Sequence, residues 1–396
     1  MSAGVYIHIP FCKSRCSYCD FATDVYRESG AVERYVDALC REIEGGNLSG
    51  SEGVSSRPDT PGQQDTLPTG RVSAFVDTIY FGGGTPSLLR PDQLELILGA
   101  VRSRFNVDPN AEITMEMNPA TVTAESLSAY RELGVNRASF GVQTFNERDL
   151  KLLARGHDAN DARVTFWLLR EAGFDNVSFD LIAGLPGQAL YDWRRNLDEA
   201  VAMRPEHLSL YLLEVHEGTP LAEQLRSGRR PMPDEDLAAE MYETMIDTLA
   251  GAGYEQYEIS NFSMPGYESR HNNKYWRLEP VYGFGVSAHS FNGHERYANE
   301  RDTAKYVERV EQFGGAEVLR EGIDEASETA FLGLRLLGRG VDLAQHRARY
   351  HRDVRADHAA DLARFGEAGL VELDGDVLRL TPAGALLSNE VFSAFV

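Results

Sequence analysis

Between residues 75 and 213 strand-like and helix-like patterns take turns, and this alternation constrains the fold more than any other feature of the chain. β-Branched and aromatic runs stand at Phe75–Phe81, Glu112–Met117, Arg137–Phe140, Val177–Ile182 and Leu208–Leu213, as strands favour. Apolar residues at helical spacing fill 92–104, 123–133, 160–172 and 191–203 between them. Such alternation with short connections predicts a parallel sheet with right-handed crossovers. With Val5–Ile9 as the opening strand there are six units. The expected fold class is therefore α/β, an incomplete (β/α)6 barrel over residues 1–233.

The rest of the chain is punctuated differently. Residues 31–44 read as a helix, and 45–71, rich in Gly, Ser, Pro and Thr, as a flexible insertion. A helix at 234–252 and a strand at Tyr254–Ile259 open an extension over 234–320. Its aromatic, Asn- and Gly-rich stretch 261–300 lacks periodicity and is expected to be irregular structure covering a pocket. Helices at 324–338 and 350–367, then strands at Leu370–Leu373 and Val377–Leu380, predict a small winged-helix-like α+β module over 321–396. That module is read as structural or partner-binding, because 39 Lys+Arg against 61 Asp+Glu leave a formal charge of -22. Such a chain repels phosphate backbones and anionic membrane surfaces, so no nucleic acid is expected as a partner. No apolar run approaches the ~18 residues that span a bilayer, and no signal peptide is visible. The expected location is cytoplasmic, with no integral membrane segment.

Three of the four cysteines crowd into eight positions, Cys12-Lys-Ser-Arg-Cys16-Ser-Tyr-Cys19. Three thiolates on one short loop can hold three irons of a [4Fe–4S] cubane and leave the fourth open. An amino acid chelates such an iron through amine and carboxylate. S-adenosylmethionine offers that pair, and one electron into its sulfonium yields a 5′-deoxyadenosyl radical. A zinc site with a His or distant Cys as fourth ligand is the alternative on spacing alone. Cys40 lies on the apolar face of the 31–44 helix and reads as a small buried hydrophobe. Glycines in Phe81-Gly-Gly-Gly-Thr-Pro86 allow close backbone approach. Glu116, Gln143 and Asp180 stand at the carboxyl ends of successive strands, where polar residues meet at a barrel mouth.

These motifs, with Glu116-Met-Asn-Pro119, Gly141-Val-Gln-Thr-Phe145, Asp180-Leu-Ile-Ala-Gly-Leu-Pro-Gly187 and His271-Asn-Asn-Lys-Tyr-Trp276, occur in an order that spans nearly the whole chain. The sequence resembles the radical S-adenosylmethionine proteins of the oxygen-independent coproporphyrinogen III oxidase family, and within it the haem chaperone branch. The resemblance implies a cluster on Cys12, Cys16 and Cys19. It implies S-adenosylmethionine contacts from Tyr6, Tyr18, Gly83, Gly84, Thr85, Glu116, Gln143, Arg155 and Asp180. Arg155 would bond the cofactor's carboxylate, and Tyr18 would stack on its adenine. It further implies haem binding by His271, Tyr275 and Trp276, with a haem-accepting protein and an electron donor as partners. His8, His157, His207 and His289 are the other candidate ligands. Oxidases of the family generally carry a further cysteine two positions after the third ligand, where this chain has Phe21, and a longer N-terminal extension. The expected function is haem chaperoning, with coproporphyrinogen III decarboxylation as the alternative.

Overall fold

The computed structural model describes residues 2–25, 29–45 and 74–395. The insertion expected at 45–71 lies, apart from Gly45, outside the described residues. Six parallel strands follow one another in space as in sequence. They are β1 (Ala3–Ile9), β2 (Phe75–Gly83), β3 (Asn106–Met117), β4 (Arg137–Gln143), β5 (Val177–Ala183) and β6 (His207–Leu212). The crossovers carry α1 (Ser29–Glu44), α2 (Pro91–Arg104), α3 (Ala124–Leu133), α4 (Ala159–Glu171) and α5 (Leu190–Met203).

Alternation along the strands decides which face the helices cover. Val5, Ile7 and Ile9 of β1, Ala138, Phe140 and Val142 of β4, and Val177, Phe179 and Leu181 of β5 are buried in one continuous core. Leu94, Ile97, Leu98 and Val101 of α2 pack into the same core. The opposite phase of each strand is polar: Tyr6 and His8, Thr78 and Tyr80, Thr114 and Glu116, Arg137 and Ser139, Ser178 and Asp180, His207 and Ser209. Parallel pairing sets these in rows across the inner surface, with Tyr6 opposite Tyr80, Glu116 opposite Ser139 and Asp180 opposite Ser209. The sheet thus has an apolar outside under helices and a polar inside.

The stretch 261–300 corrects the expectation of irregular structure. After α6 (Glu235–Gly251), the short strands β7 (Glu255–Gln256) and β8 (Asn261–Ser263) extend the sheet beyond β6. Past α7 (Arg270–Trp276), β9 (Val281–Phe284) pairs parallel with β1 at the other edge. Then β10 (His289–Phe291), β11 (Glu295–Asn299) and β12 (Glu317–Gly322) continue it antiparallel. Each strand is short, so sheet-edge pairing rather than local pattern forms it.

The C-terminal module holds its own core, including Leu334, Leu343, Phe365, Leu378, Leu380 and Phe392. Its order is α8 (Glu325–Arg335), β13 (Val341–Asp342), α9 (Leu343–Tyr350), α10 (Ala359–Glu367), β14 (Val371–Asp374) and β15 (Val377–Leu380). β13 and β14 flank β15, an arrangement of the winged-helix kind. The single helix expected over 350–367 is instead broken. His351 adopts φ 56° and ends α9, and Asp353 caps a fresh turn at Val354–Asp357 before α10.

Candidate functional site

The cysteine loop leaves β1 at Pro10 and is pinned from beneath. Ser17 donates from its backbone to Leu153 O at 2.9 Å and from its hydroxyl to Leu152 O at 2.9 Å. Leu221 N donates to Ser17 O at 2.8 Å, and Phe11–Cys12 pairs with Asp24–Val25. Arg301, beyond β11, reaches across to Asp20 O at 2.7 Å.

Two of the three thiols are joined by one arc of hydrogen bonds at the strand ends. The Thr85 hydroxyl donates to Cys12 Sγ at 3.6 Å, and Asn118 Nδ2 donates to Thr85 Oγ1 at 2.7 Å. Arg155 Nη2 donates to Asn118 Oδ1 at 2.6 Å and to Gly141 O at 2.8 Å, while its Nη1 meets Cys16 Sγ at 3.3 Å. Gly141 lets these side chains lie close: a Cβ on it would stand 2.5 Å from Gln143 Nε2 and 3.2 Å from Arg155 Nη2, so both would have to shift. Gln143 itself holds φ 67°, an unusual conformation for a residue with a side chain and one that clusters at functional sites. The Tyr18 hydroxyl sits beside Arg155, and Tyr18 packs against a small apolar cluster that includes Leu153, Leu185 and Leu221. Burial raises the Cys12 and Cys19 thiols; the Thr85 bond works against that at Cys12, as Phe21 N does at Cys19. Cys40 is packed against the main core, where burial pushes its thiol up to about 11, so the hydrophobe reading fits it.

Across the mouth, Glu116 accepts from Tyr80 OH at 2.8 Å and from Gly83 N at 3.0 Å. Burial nevertheless pushes its carboxyl up to about 7. Asp180 is pushed up to about 6 by burial, against the pull of Ser209, Arg137 and Arg155. Tyr6 bonds His8 Nδ1 at 3.0 Å, and His8 Nε2 donates to Ala22 O at 2.9 Å, tying β1 to the loop. The structure therefore gathers Tyr6, Tyr18, Gly83, Gly84, Thr85, Glu116, Gln143, Arg155 and Asp180 around the cysteine loop at one end of the barrel.

Donors beside two thiols stabilise thiolates, and the Nε of Arg155 is buried without a partner. This donor set fits a cluster and an anionic group of an amino acid. Among the described residues, no three His, Cys, Asp or Glu side chains are grouped about a single ion.

The second constellation is divided. His271 and Tyr275 lie four residues apart on α7, hence on one face, and that face enters the barrel. His271 is 1% exposed, with Nδ1 at 2.9 Å from Thr78 Oγ1 and Nε2 at 3.2 Å from Tyr275 OH. Its ring stacks on Tyr80 at 5.1 Å. Burial, with Lys274 and Arg137 nearby, lowers it to about 3, so it is neutral. Trp276, a further ~100° around the helix, faces outward under Arg335, whose guanidinium lies 4.2 Å from the ring. His157 and His207 are structural: the first bonds Val142 O at 3.4 Å, the second Ser178 and Tyr257.

Two residues at the barrel were missed in the sequence. Asn118, inside a quoted motif, is the link between Thr85 and Arg155. Arg137 is 2% exposed on the inner face and acts electrostatically on Glu116, Asp180 and His271. Polar Arg137, Ser139 and Gln143 in one alternating phase of β4, with Gly141 between them, were the available signal.

Comparisons with known proteins agree with this architecture. The radical SAM superfamily profile matches residues 6–200, and the HemN C-terminal domain profile matches residues 321–387. The heme chaperone HemW of Bacillus subtilis is 35% identical over 99% of both chains. The heme chaperone HemW of Synechocystis is 34% identical over 100% of this chain and 96% of its own. The solved coproporphyrinogen III oxidase HemN of Escherichia coli superposes with a TM-score of 0.83 at 24% identity, over 100% of this chain and 90% of that one. A three-cysteine loop at the mouth of a six-stranded barrel, followed by a HemN-type C-terminal module, thus accompanies similarity along the whole chain: it belongs to the oxygen-independent coproporphyrinogen III oxidase family of radical SAM proteins, in the heme chaperone HemW branch.

Proposed function

We propose that this chain is a haem chaperone: it holds a [4Fe–4S] cluster and S-adenosylmethionine, binds haem, and passes it to an acceptor protein. Cys12, Cys16 and Cys19 would hold three irons. Arg155 would take the cofactor's carboxylate and the Gly83–Thr85 backbone its amine. Glu116 or Asp180 would accept from ribose hydroxyls, and Tyr18 would stack on adenine. When bound, the cluster supplies one electron at a time, delivered by a donor protein. The observation that carries the reading is the arc from Cys12 through Thr85, Asn118 and Arg155 to Cys16, which puts cation and thiols side by side. Full-length likeness to proteins named heme chaperones supports the haem part. So does Phe21, 61% exposed where the oxidases carry a cysteine.

The test is anaerobic reconstitution followed by three measurements on one preparation. Iron analysis is expected to give about four irons per chain, and the EPR spectrum of the reduced cluster to change on adding S-adenosylmethionine. Haem titration is expected to saturate, with no protoporphyrinogen formed from coproporphyrinogen III. Repeated turnover of coproporphyrinogen would establish the oxidase instead. A spectrum indifferent to S-adenosylmethionine would overturn the cofactor assignment.

A further inference from the structure

Trp276 opens onto a cleft of about 730 Å³ between the end of α7 and the C-terminal module. That volume suits a cofactor-sized ligand, for which pockets run to roughly 300–1,000 Å³. Leu336, 6% exposed, and Trp276 give it an apolar wall. Arg277, Arg339 and Arg349 stand exposed around it. Among the described residues Arg349 has one long ion pair, to Glu325 at 3.7 Å, and no acidic partner faces Arg277 or Arg339. Arg277 and Arg339 are thus placed to meet an anionic group. The two carboxylates lining the cleft are already engaged: Glu279 with Lys274 at 3.1 Å, and Asp342 as the cap of α9.

The polar groups of the wall are also unfilled. His346 is 4% exposed; its Nε2 lies 2.8 Å from Ala326 O and so carries the proton. Its Nδ1 is buried without a partner, and so is the indole Nε1 of Trp276. A flat apolar body with anionic groups at one edge matches an apolar wall, exposed guanidinium groups and spare polar atoms.

We infer that this cleft, between α7 and the C-terminal module, is the binding site for the porphyrin, with the haem propionates on Arg277, Arg339 and Arg349 and the ring along Trp276 and Leu336. The inference rests on the haem reading above and deepens it. It assigns the outward half of the His271–Trp276 segment to the ligand and leaves His271 within the barrel. It also gives the C-terminal module a task, as one wall of the site. Bound there, haem would sit beside an exposed surface, from which an acceptor could take it.

The experiment is haemin titration into the cluster-loaded protein, wild type and variants, with protoporphyrin IX dimethyl ester as a second probe. Arg277→Glu/Arg339→Glu changes exposed residues only. It is expected to weaken haemin binding about tenfold or more, the scale of lost charge-assisted bonds, with iron content unchanged. The ester, lacking free carboxylates, is expected to respond less than threefold to the same change. Leu336→Trp, which fills the cleft, is expected to weaken both probes. Haemin affinity within twofold of wild type in both variants would overturn the site. So would binding lost in His271→Ala and kept in the double variant. Wild-type protein without saturable haemin binding would instead overturn the haem reading itself.

Discussion

At the residue scale the barrel mouth is held by few groups, each with more than one partner. Asn118 is the clearest: its amide nitrogen serves Thr85 and its oxygen serves Arg155. Asn118→Ala removes both bonds and leaves Arg155 Nη2 held by Gly141 O alone. Hydrogen bonds to charged groups contribute about 1.5–3 kcal/mol, so S-adenosylmethionine affinity should fall roughly 10- to 100-fold, read from the EPR response of the reduced cluster. The carboxyls at the same mouth make a pH prediction. Glu116 is raised to about 7 from 4.5, and Asp180 to about 6 from 3.8, in each case by burial first. In the folded cofactor-free protein they keep protons that the unfolded chain has released. The unfolded state thus binds fewer protons between about pH 4 and 7, and stability contributed by these groups, full below pH 4, falls as pH rises through that window. A tenfold change in a group's proton affinity on folding corresponds to about 1.4 kcal/mol, so Glu116 alone accounts for no more than roughly 3–4 kcal/mol. Glu116→Gln should flatten this slope and stabilise the protein at pH 8, measured by denaturant unfolding at pH 5 and pH 8.

At the scale of elements, α8 is tied to the barrel edge and to α7 at once. Arg335 donates to Glu258 Oε2 at 3.0 Å while its guanidinium covers Trp276. Glu258 is 0% exposed and is otherwise bonded by Ser260 N and the Asn261 amide. Removing one partner of a buried ion pair leaves the other uncompensated and costs about 3 kcal/mol or more. Arg335→Ala should lower the denaturation midpoint accordingly, while Glu258→Gln/Arg335→Met should recover most of the loss. The same elements show what could be read from the chain alone. The strands and helices of the barrel were legible because Val5, Ile7, Ile9 and their counterparts alternate against a helix-covered face. Their ends were less so: β3 begins at Asn106 rather than Glu112, and β4 runs on to Gln143. Inward polar residues such as Arg137 and Ser139 interrupt the apolar run on which strand reading relies. α7 was not read as a helix, because seven residues with two aromatics carry little periodicity. Its phase is what separates His271 from Trp276, so the division of that motif was invisible without it. The crowding of the cysteine loop was legible at once, since three thiols within eight residues need no tertiary information to be noticed.

At the scale of the whole molecule the charge balance decides between two effects of salt. Sixty-one acidic against 39 basic residues leave -22, and like charge spread over one compact body opposes folding. Against this stand many exposed ion pairs, such as Arg34 with Glu311 and Arg90 with Glu33 and Asp92. Pairs of that kind contribute about 0–1 kcal/mol each and weaken in salt. Both effects are screened over the same range, where the Debye length falls from about 30 Å at 0.01 M to about 8 Å at 0.15 M. The repulsion acts at long range among all unpaired acids and is therefore removed first, while contact pairs a few ångströms apart are screened least. The thermal midpoint should rise between 0.01 and 0.15 M NaCl, and rise equally in KCl, since screening does not distinguish the two ions. A midpoint that falls over this range would mean that the surface pairs, and not the net charge, set the electrostatic part of stability. Arg90→Gln, which deletes two of the exposed pairs, should then change the midpoint by more than its expected degree or so, corresponding to less than about 0.5 kcal/mol.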